Sequence, residues 1–292
     1  CYFAKMQAFR RAFQEGLKLL DQNPESEETW QKIYDKMEDV ITTSTNFEVG
    51  TDYFKSMRDR YLDEDQGDQS DIFITGLDDI DSEINGGGYG RGQIISIIAG
   101  SGVGKSVMLQ CITATNLCRG KKGVYITLEL SEEKVAQRMD SILTGLPIQN
   151  LYGEKEDLFE KLQKLEGVNY DDKMPLVIKQ FPPGTASVNT IRAYIAQLKF
   201  HGYHPDFVMV DYVGEMQDVP GVKTYESREK LVRDLRALAV EEKLFIGTAM
   251  QPNRGSKEQQ QGSKVERIDD QHLADSFGQI RPLDGAISLN QN

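Results

Sequence analysis

Length and composition set the first limits on this protein. The chain has 292 residues, 39% of them hydrophobic, which suits one large domain with an appendage or two domains. Its formal net charge of −12 excludes a basic field over the whole surface, although a local basic lining can still bind nucleic acid. The three cysteines lack metal-ligand spacing, and the sequence contains neither a bilayer-length apolar run nor a visible signal peptide. We therefore expect a cytoplasmic protein with Cys111 and Cys118 as small core residues and, because the chain begins at Cys rather than Met, a fragment.

The first part of the chain is predicted to be helical and carries no catalytic pattern. Within residues 1–48, apolar side chains recur at helical spacing over residues 2–20, and a second helix is predicted over residues 26–41. A third candidate helix, at 51–62, has aromatic residues on one face. Packing within a small helical subdomain and docking on a neighbouring subunit are equally good interpretations of this helix, because three short helices bury little surface alone.

An acidic stretch separates the helical region from the rest. No Lys or Arg occurs from Tyr61 to Gly90, while Asp and Glu are frequent there. Such a run is typical of a solvated segment and is a poor candidate for contact with phosphate. We therefore predict a linker helix and acidic linker over residues 49–70, leading into a core domain over 71–292.

From residue 93 onward, short apolar strands alternate with helices, which predicts an α/β domain with a mainly parallel sheet covered on both faces. The predicted strands are Gln93–Ile98, Gly123–Leu128, Leu176–Lys179, Phe207–Val210, Leu244–Ala249 and Ala286–Leu289. The predicted helices are Lys105–Arg119, Glu132–Leu143, Asp157–Glu166, Val188–His201 and Arg228–Glu242. Ligands of such sheets bind at the carboxyl ends of the strands, where polar residues therefore have the most functional interest.

The first of these strand ends carries a glycine-rich turn that leads directly into a helix, the context of a phosphate-binding loop. Glycines let backbone N–H groups approach phosphate oxygens, Lys105 is expected to reach the β- and γ-phosphates, and the Ser106 hydroxyl is expected to bind Mg²⁺. A plain connecting turn fits this context less well. The predicted nucleotide-binding residues, which we call the phosphate loop, are Ala99, Gly100, Ser101, Gly102, Val103, Gly104, Lys105 and Ser106.

Three further strand ends carry candidate catalytic residues. Glu129 is placed to activate water as a general base, the alternative being support of the following helix, where Glu132 and Glu133 already lie. Asp211 follows an apolar strand in the pattern of a Walker-B carboxylate that holds Mg²⁺, rather than a turn-forming Asp. Gln251 is suited to hydrogen-bond a γ-phosphate, although a polar residue at a strand end is by itself a weak signal.

The segment after Gln251 is long and without periodicity. Residues 252–270 are rich in Gly, Gln and Ser, and basic side chains are interleaved with them. A loop of this length is either functional or disordered. A basic loop connected to a phosphate sensor suits an ATP-driven motor on nucleic acid, and a solvated mobile loop fits the composition equally well. The candidate DNA-binding residues in it are Arg254, Lys257, Lys264 and Arg267.

These motifs, in this order, resemble those of DnaB-type replicative helicases, which are RecA-like ATPases, and the phage branch with the T-even-like phage helicases looks nearest. Ala at the first position of the phosphate loop is usual in that family. The resemblance extends over roughly residues 70–292. It rests on the segments Ala99–Ser106, Ile126–Ser131, Val210–Tyr212, Leu231–Ala239, Gln251–Arg254 and Leu273–Ala286.

The resemblance implies a RecA-like three-layer domain in a hexameric ring that hydrolyses ATP with Mg²⁺ at subunit interfaces. It also implies 5′ to 3′ movement on single-stranded DNA, contacts from Asp275 and Ser276 to that DNA, and a primase and a helicase loader as partners, in a bacterial or phage-infected cell. The helix near residues 50–65 would dock on a neighbouring subunit. An arginine finger acting in trans is expected beyond the last core strand, and the sequence stops at Asn292.

Two other classes of protein remain open from the sequence. A recombinase or a clock-type RecA-like ATPase shares the phosphate loop and the strand-end Glu, but the Gln-x-Asn-Arg motif and residues 275–285 favour the helicase. A loader or adaptor that needs ATP only for assembly would tolerate the loss of Glu129.

Overall fold

The computed structural model describes residues 12–20, 29–34, 71–84, 86–166, 175–251 and 280–290. The chain divides into two compact units, Cys1–Gln66 and Gly67–Asn292. In the first unit the described residues are helical, and Gly16 on residues 12–20 faces Ile33 on residues 29–34. The predicted linker helix over 51–62 lies outside the described residues. None of the helices in the described ranges combines the length and the apolar character needed to cross a lipid bilayer.

The second unit is built on a six-stranded sheet in which every strand pairing is parallel. The strand order is β3-β2-β4-β5-β1-β6. The strands are β1 (Ile94–Ala99), β2 (Gly123–Thr127), β3 (Leu176–Gln180), β4 (Phe207–Asp211), β5 (Phe245–Met250) and β6 (Gly285–Leu289). The helices are α1 (Asp78–Asp81), α2 (Lys105–Cys118), α3 (Glu132–Thr144), α4 (Lys155–Glu166), α5 (Val188–Phe200) and α6 (Thr224–Glu242), with 3₁₀ turns at Ile148–Asn150 and Val213–Glu215.

Both faces of the sheet are covered, which gives three layers. All residues of β1, β2, β4 and β5 are buried, because an apolar strand without polar alternation can be accommodated only between two layers. On one face, Leu109 and Val135 bring α2 and α3 against the strands. On the other face, Ile191 and Leu235 do the same for α5 and α6. The predicted α/β class with a parallel sheet is confirmed.

The predicted strands and helices of the core are all present, with most boundaries displaced by one or two residues. The largest difference is at α6, which begins at Thr224 rather than Arg228. Its N-cap residue, Lys223, makes no side-chain capping bond. Because the sequence offers no capping residue at that point, the pattern marks the start of the apolar face and not the start of the helix.

The acidic stretch departs from its prediction. Its described part is folded onto the core, so the prediction of a solvated linker from Tyr61 to Gly90 is wrong for that part. Phe73 is fully buried, exchanges backbone hydrogen bonds with Tyr89, and stacks on Phe245 at 5.0 Å between ring centroids. Asp81 is buried and accepts hydrogen bonds from the backbone N of Thr75 at 2.8 Å, its hydroxyl at 2.9 Å, and the N of Gly76 at 2.9 Å.

The cysteines of α2 also differ from their prediction as core residues. Cys111 is half-buried and Cys118 is exposed. The buried polar position of this helix is Asn116, whose side chain donates to the carbonyl oxygen of Ile74 at 2.9 Å and accepts from its backbone N at 3.2 Å. The inner face of α2 is therefore used to hold the segment that precedes β1.

Candidate nucleotide-binding site

The sheet order brings the predicted site residues to one edge of the molecule. The phosphate loop follows β1, Gln251 follows β5, Asp211 ends β4 and Glu129 follows β2, and these four strands are consecutive neighbours in the sheet. Because all of the pairings are parallel, all four carboxyl ends lie at the same edge. The site is therefore assembled by strands that are distant from one another in the chain.

The backbone of the phosphate loop takes a shape that requires glycine at two positions. Gly102 and Gly104 have φ of 78° and 107°, in the left-handed region that side chains disfavour. A Cβ at either position would meet no atom within 4 Å, so it is the backbone conformation, and not crowding, that selects glycine. Helix α2 begins directly at Lys105, and its amino terminus is oriented to attract an anion.

Lys105 lies across the phosphate loop and is only 7% exposed. Its Nζ donates to the carbonyl oxygens of Ala99 at 3.1 Å and Gly100 at 2.8 Å, and lies 5.7 Å from the centre of the Tyr212 ring. Burial lowers the pKa of Lys105, while the charges of Asp211 and Glu129 oppose that shift. The ammonium group is thus held at the loop by carbonyl groups and is close to the acidic side chains of the site.

Ser106 and Asp211 form the second part of the site. The Ser106 hydroxyl donates to Oδ1 of Asp211 at 3.0 Å, and the Tyr125 hydroxyl donates to Oδ2 at 2.8 Å. Asp211 is 1% exposed, and this burial raises its pKa, although the hydrogen bonds from Tyr125 and Ser106 act in the opposite direction. A hydroxyl and a carboxylate beside a phosphate loop are oxygen ligands of the kind that Mg²⁺ takes together with phosphate oxygens.

The ligands of a larger metal site are not gathered here. Within the residues that the structure describes, no three His, Cys, Asp or Glu side chains are grouped as ligands of one metal ion. Mg²⁺ does not need such a group, because it retains waters and is usually bound through one or two carboxylates and the phosphates of a substrate. The pair of Ser106 and Asp211 therefore fits Mg²⁺ bound with a nucleotide.

Gln251 is connected to the site through a tyrosine. Its Nε2 donates to the Tyr212 hydroxyl at 3.3 Å, and that hydroxyl donates to Glu215 at 2.8 Å. Burial, followed by the hydrogen bond to Glu215, raises the pKa of Tyr212 to about 12, so it remains a neutral donor at physiological pH. Because the Tyr212 ring also faces Lys105, this side chain links the end of β5 to the phosphate loop.

Glu129 is exposed at the open edge of the site. It does not serve the start of α3, since Ser131 caps that helix by accepting from the Lys134 backbone N at 3.4 Å. Glu132 is also occupied, because its carboxylate accepts from the backbone N of Gln180 at 2.8 Å. The charge of Glu129 acts on the pKa of Lys105, as it does on those of Asp211 and Tyr212, which is consistent with a carboxylate that faces the phosphate loop.

The sequence-based predictions missed two tyrosines of the site. Tyr125 lies inside β2 and looked like an ordinary core residue, although it is two positions before the end of the strand on the same face as Asp211. Tyr212 directly follows Asp211, which was the available signal. The predicted DNA-binding residues Arg254, Lys257, Lys264, Arg267, Asp275 and Ser276 lie outside the described residues.

Comparison with known proteins agrees with this geometry. The family model described as DnaB-like helicase C terminal domain matches residues 73–268. A DnaB-like replicative helicase of Enterobacteria phage T4 is 30% identical over 181 residues, which is 58% of this chain and 37% of that protein. The chain thus spans little more than a third of the length of this relative.

Two solved structures share the fold of the core. One of them, an isolated ATPase domain, superposes with a TM-score of 0.63 at 16% identity, over 83% of this chain and 84% of that one. A DnaB-like replicative helicase, studied with its interactions with primase, gives a TM-score of 0.57 at 17% identity over 97% and 65% of the two chains. These matches confirm the predicted RecA-like fold. Because the family model covers more than half of the chain, the protein belongs to the DnaB-like helicase C-terminal domain family.

Proposed function

We propose that the protein is an ATP-dependent replicative DNA helicase whose core unit binds and hydrolyses ATP. The observation that carries this proposal is the pair of Ser106 and Asp211, joined at 3.0 Å directly beside a glycine loop whose lysine is buried against it. Membership of the helicase family and the phage T4 relative support the assignment to replication.

Binding of ATP is assigned to the phosphate loop. Its backbone N–H groups and the start of α2 surround the phosphates, and Lys105 exchanges the carbonyl oxygens of Ala99 and Gly100 for oxygens of the β- and γ-phosphates. Ser106 and Asp211 hold Mg²⁺, which neutralises charge on the β- and γ-phosphates when it is bound. The charge-assisted contacts of Lys105 supply much of the affinity for the triphosphate.

Hydrolysis is assigned to Glu129. Its carboxylate accepts the proton of a water molecule that attacks the γ-phosphorus, the bond between that phosphorus and the β–γ bridging oxygen breaks, and ADP and phosphate are formed. The exposed position of Glu129 at the open edge leaves room for that water. We assign Gln251 as the sensor of the γ-phosphate, with Tyr212 as its connection to the phosphate loop.

Movement on DNA is assigned to the chain beyond Gln251. Loss of the γ-phosphate changes the contacts of Gln251, and the basic segment that follows it shifts its hold on single-stranded DNA. We propose a hexameric ring moving 5′ to 3′, with primase and a loader as partners, in the cytoplasm of a bacterial or phage-infected cell. The proposed organisation is a helical region at 1–48, a linker at 49–70 and the ATPase domain at 71–292. The residues proposed to contact DNA are Arg254, Lys257, Lys264, Arg267, Asp275 and Ser276.

The proposal is tested by measuring ATP hydrolysis by the full-length protein with and without single-stranded DNA, together with electron microscopy of the particles. We expect DNA to stimulate hydrolysis and ATP to favour six-fold rings. An ATPase that does not respond to DNA and forms no rings would instead favour an adaptor that uses ATP only for assembly.

A further inference from the structure

We propose that Tyr125 is a positioning residue that fixes the Asp211 carboxylate in the orientation in which it binds Mg²⁺. The inference rests on the proposed function, since it concerns the metal of the same site. It extends the site from the strand ends into the interior of β2, where no motif of the chain points to a functional residue.

The two oxygens of Asp211 have different partners. Oδ2 accepts from the Tyr125 hydroxyl at 2.8 Å, and Oδ1 accepts from the Ser106 hydroxyl at 3.0 Å. Rotation of the carboxylate would break both of these bonds. Tyr125 therefore determines which oxygen is turned toward the phosphate loop, and it does so whether or not Ser106 is engaged with a ligand.

The register of the sheet explains why the residue is a tyrosine. Thr127 lies opposite Asp211 in the pairing of β2 with β4, and Tyr125 lies opposite Met209. Tyr125 and Asp211 are thus diagonal neighbours on one face of the sheet, a separation that a long aromatic side chain can bridge. A phenylalanine would fill the same space without a donor, and a serine or threonine would be too short to reach the carboxylate.

Burial makes this hydrogen bond important. Tyr125 is fully buried and Asp211 is 1% exposed, so water is not available to replace a missing donor. A second buried polar group, Gln110, lies beside the Tyr125 hydroxyl, one helical turn beyond Ser106. Its amide atoms make no hydrogen bond of standard geometry among the described residues. Because the Tyr125 proton points to Asp211, the tyrosine oxygen remains able to accept from this amide.

The test is the Mg²⁺ dependence of nucleotide binding by Tyr125→Phe in the full-length protein. Binding of a fluorescent ATP analogue is titrated with Mg²⁺ and repeated in EDTA, so that the readout does not depend on turnover. Loss of a group that orients a metal ligand typically weakens metal binding about 10- to 100-fold. We expect the Mg²⁺ concentration at half-maximal effect to rise at least about 10-fold, with the affinity in EDTA unchanged.

Tyr203→Phe is the matched control. The Tyr203 hydroxyl is also buried and donates to the carbonyl oxygen of Gly123 at 2.6 Å, at the opposite end of β2 from Asp211. This variant loses a buried hydrogen bond of the same kind and should keep the wild-type Mg²⁺ response. If Tyr125→Phe alone does not fold, the double variant with Gln110→Leu removes the buried amide as well and carries the same measurement.

The outcomes separate this inference from the proposed function. A wild-type Mg²⁺ midpoint in folded Tyr125→Phe, or an equal shift in both tyrosine variants, overturns the role of Tyr125 alone. A wild-type protein whose nucleotide affinity does not respond to Mg²⁺ overturns the assignment of the metal to Ser106 and Asp211, and this inference with it. Normal Mg²⁺ responses in a protein that does not hydrolyse ATP would count against the proposed function only.

Discussion

Lys105 is the residue whose environment changes most on binding of a triphosphate. Its ammonium group is satisfied by two carbonyl oxygens of the loop, at 3.1 and 2.8 Å, which phosphate oxygens can replace. Because charge-assisted hydrogen bonds to phosphate are among the strongest in proteins, the exchange favours the bound state. The same side chain that stabilises the empty loop therefore supplies the affinity for nucleotide.

We expect Lys105→Ala to weaken ATP binding by about 100-fold or more, because the lost bonds to charged groups are together worth about 3 kcal/mol. Equilibrium titration with a fluorescent nucleotide measures this loss. Lys134→Ala is the control, since Lys134 is exposed on α3 and should leave the affinity unchanged. A nucleotide affinity in Lys105→Ala close to that of the wild type would remove Lys105 from the site.

Glu129→Gln separates binding from chemistry. The amide retains the shape of the side chain but cannot accept a proton, so we expect hydrolysis to fall by roughly 10²- to 10⁴-fold while nucleotide affinity is retained. Phosphate release and nucleotide binding are measured in the full-length protein. Glu133→Gln, in the exposed first turn of α3, is the control. Nearly wild-type turnover in Glu129→Gln would contradict the assigned role of general base.

At the scale of the elements, the segment from residue 71 to 89 acts as a clamp on the sheet. It lies at the amino ends of the strands, where Phe73 stacks on Phe245, and its turn is held by Asp81. Arg91 adds ion pairs at 2.6 Å to both Asp71 and Asp206. The clamp is at the edge opposite to the nucleotide site, so its contribution is to stability rather than to chemistry.

Removal of the Asp81 carboxylate tests this clamp. Asp81→Ala would leave the donors of Thr75 and Gly76 buried without their acceptor, and we expect a loss of about 3 kcal/mol in the free energy of unfolding. Asp79→Ala, in an exposed position of the same helix α1, should change it by less than about 0.5 kcal/mol. Urea denaturation compares the two variants, and equal effects would show that the hydrogen bonds of Asp81 do not hold the segment.

The limits of sequence-based prediction are clear at this scale. Buried parallel strands such as β1 and β4 were predictable because their apolar runs are continuous and end at residues with chemical function. Asp81 was missed because charge alone does not reveal that a carboxylate has three donors waiting within its own turn. Tyr125 was missed because its role depends on the register between β2 and β4, which no local pattern contains.

At the scale of the molecule, the sheet order creates the site. Strand β5 lies between β1 and β4, so Gln251 emerges between the phosphate loop and Asp211. Ligands of open parallel sheets bind at such an edge, outside the carboxyl ends of the strands. The polypeptide that follows Gln251 leaves directly from this position, which gives nucleotide chemistry a short path to the segment assigned to DNA.

The most direct test of the helicase assignment is ATP-dependent strand separation by the full-length protein. Two partial duplexes are compared, one with a single-stranded 5′ tail and the other with a 3′ tail, each with ATP and Mg²⁺. We expect the strand to be displaced only from the 5′-tailed duplex by the wild type, and from neither by Glu129→Gln. DNA-stimulated ATP hydrolysis without displacement of either strand would contradict the account.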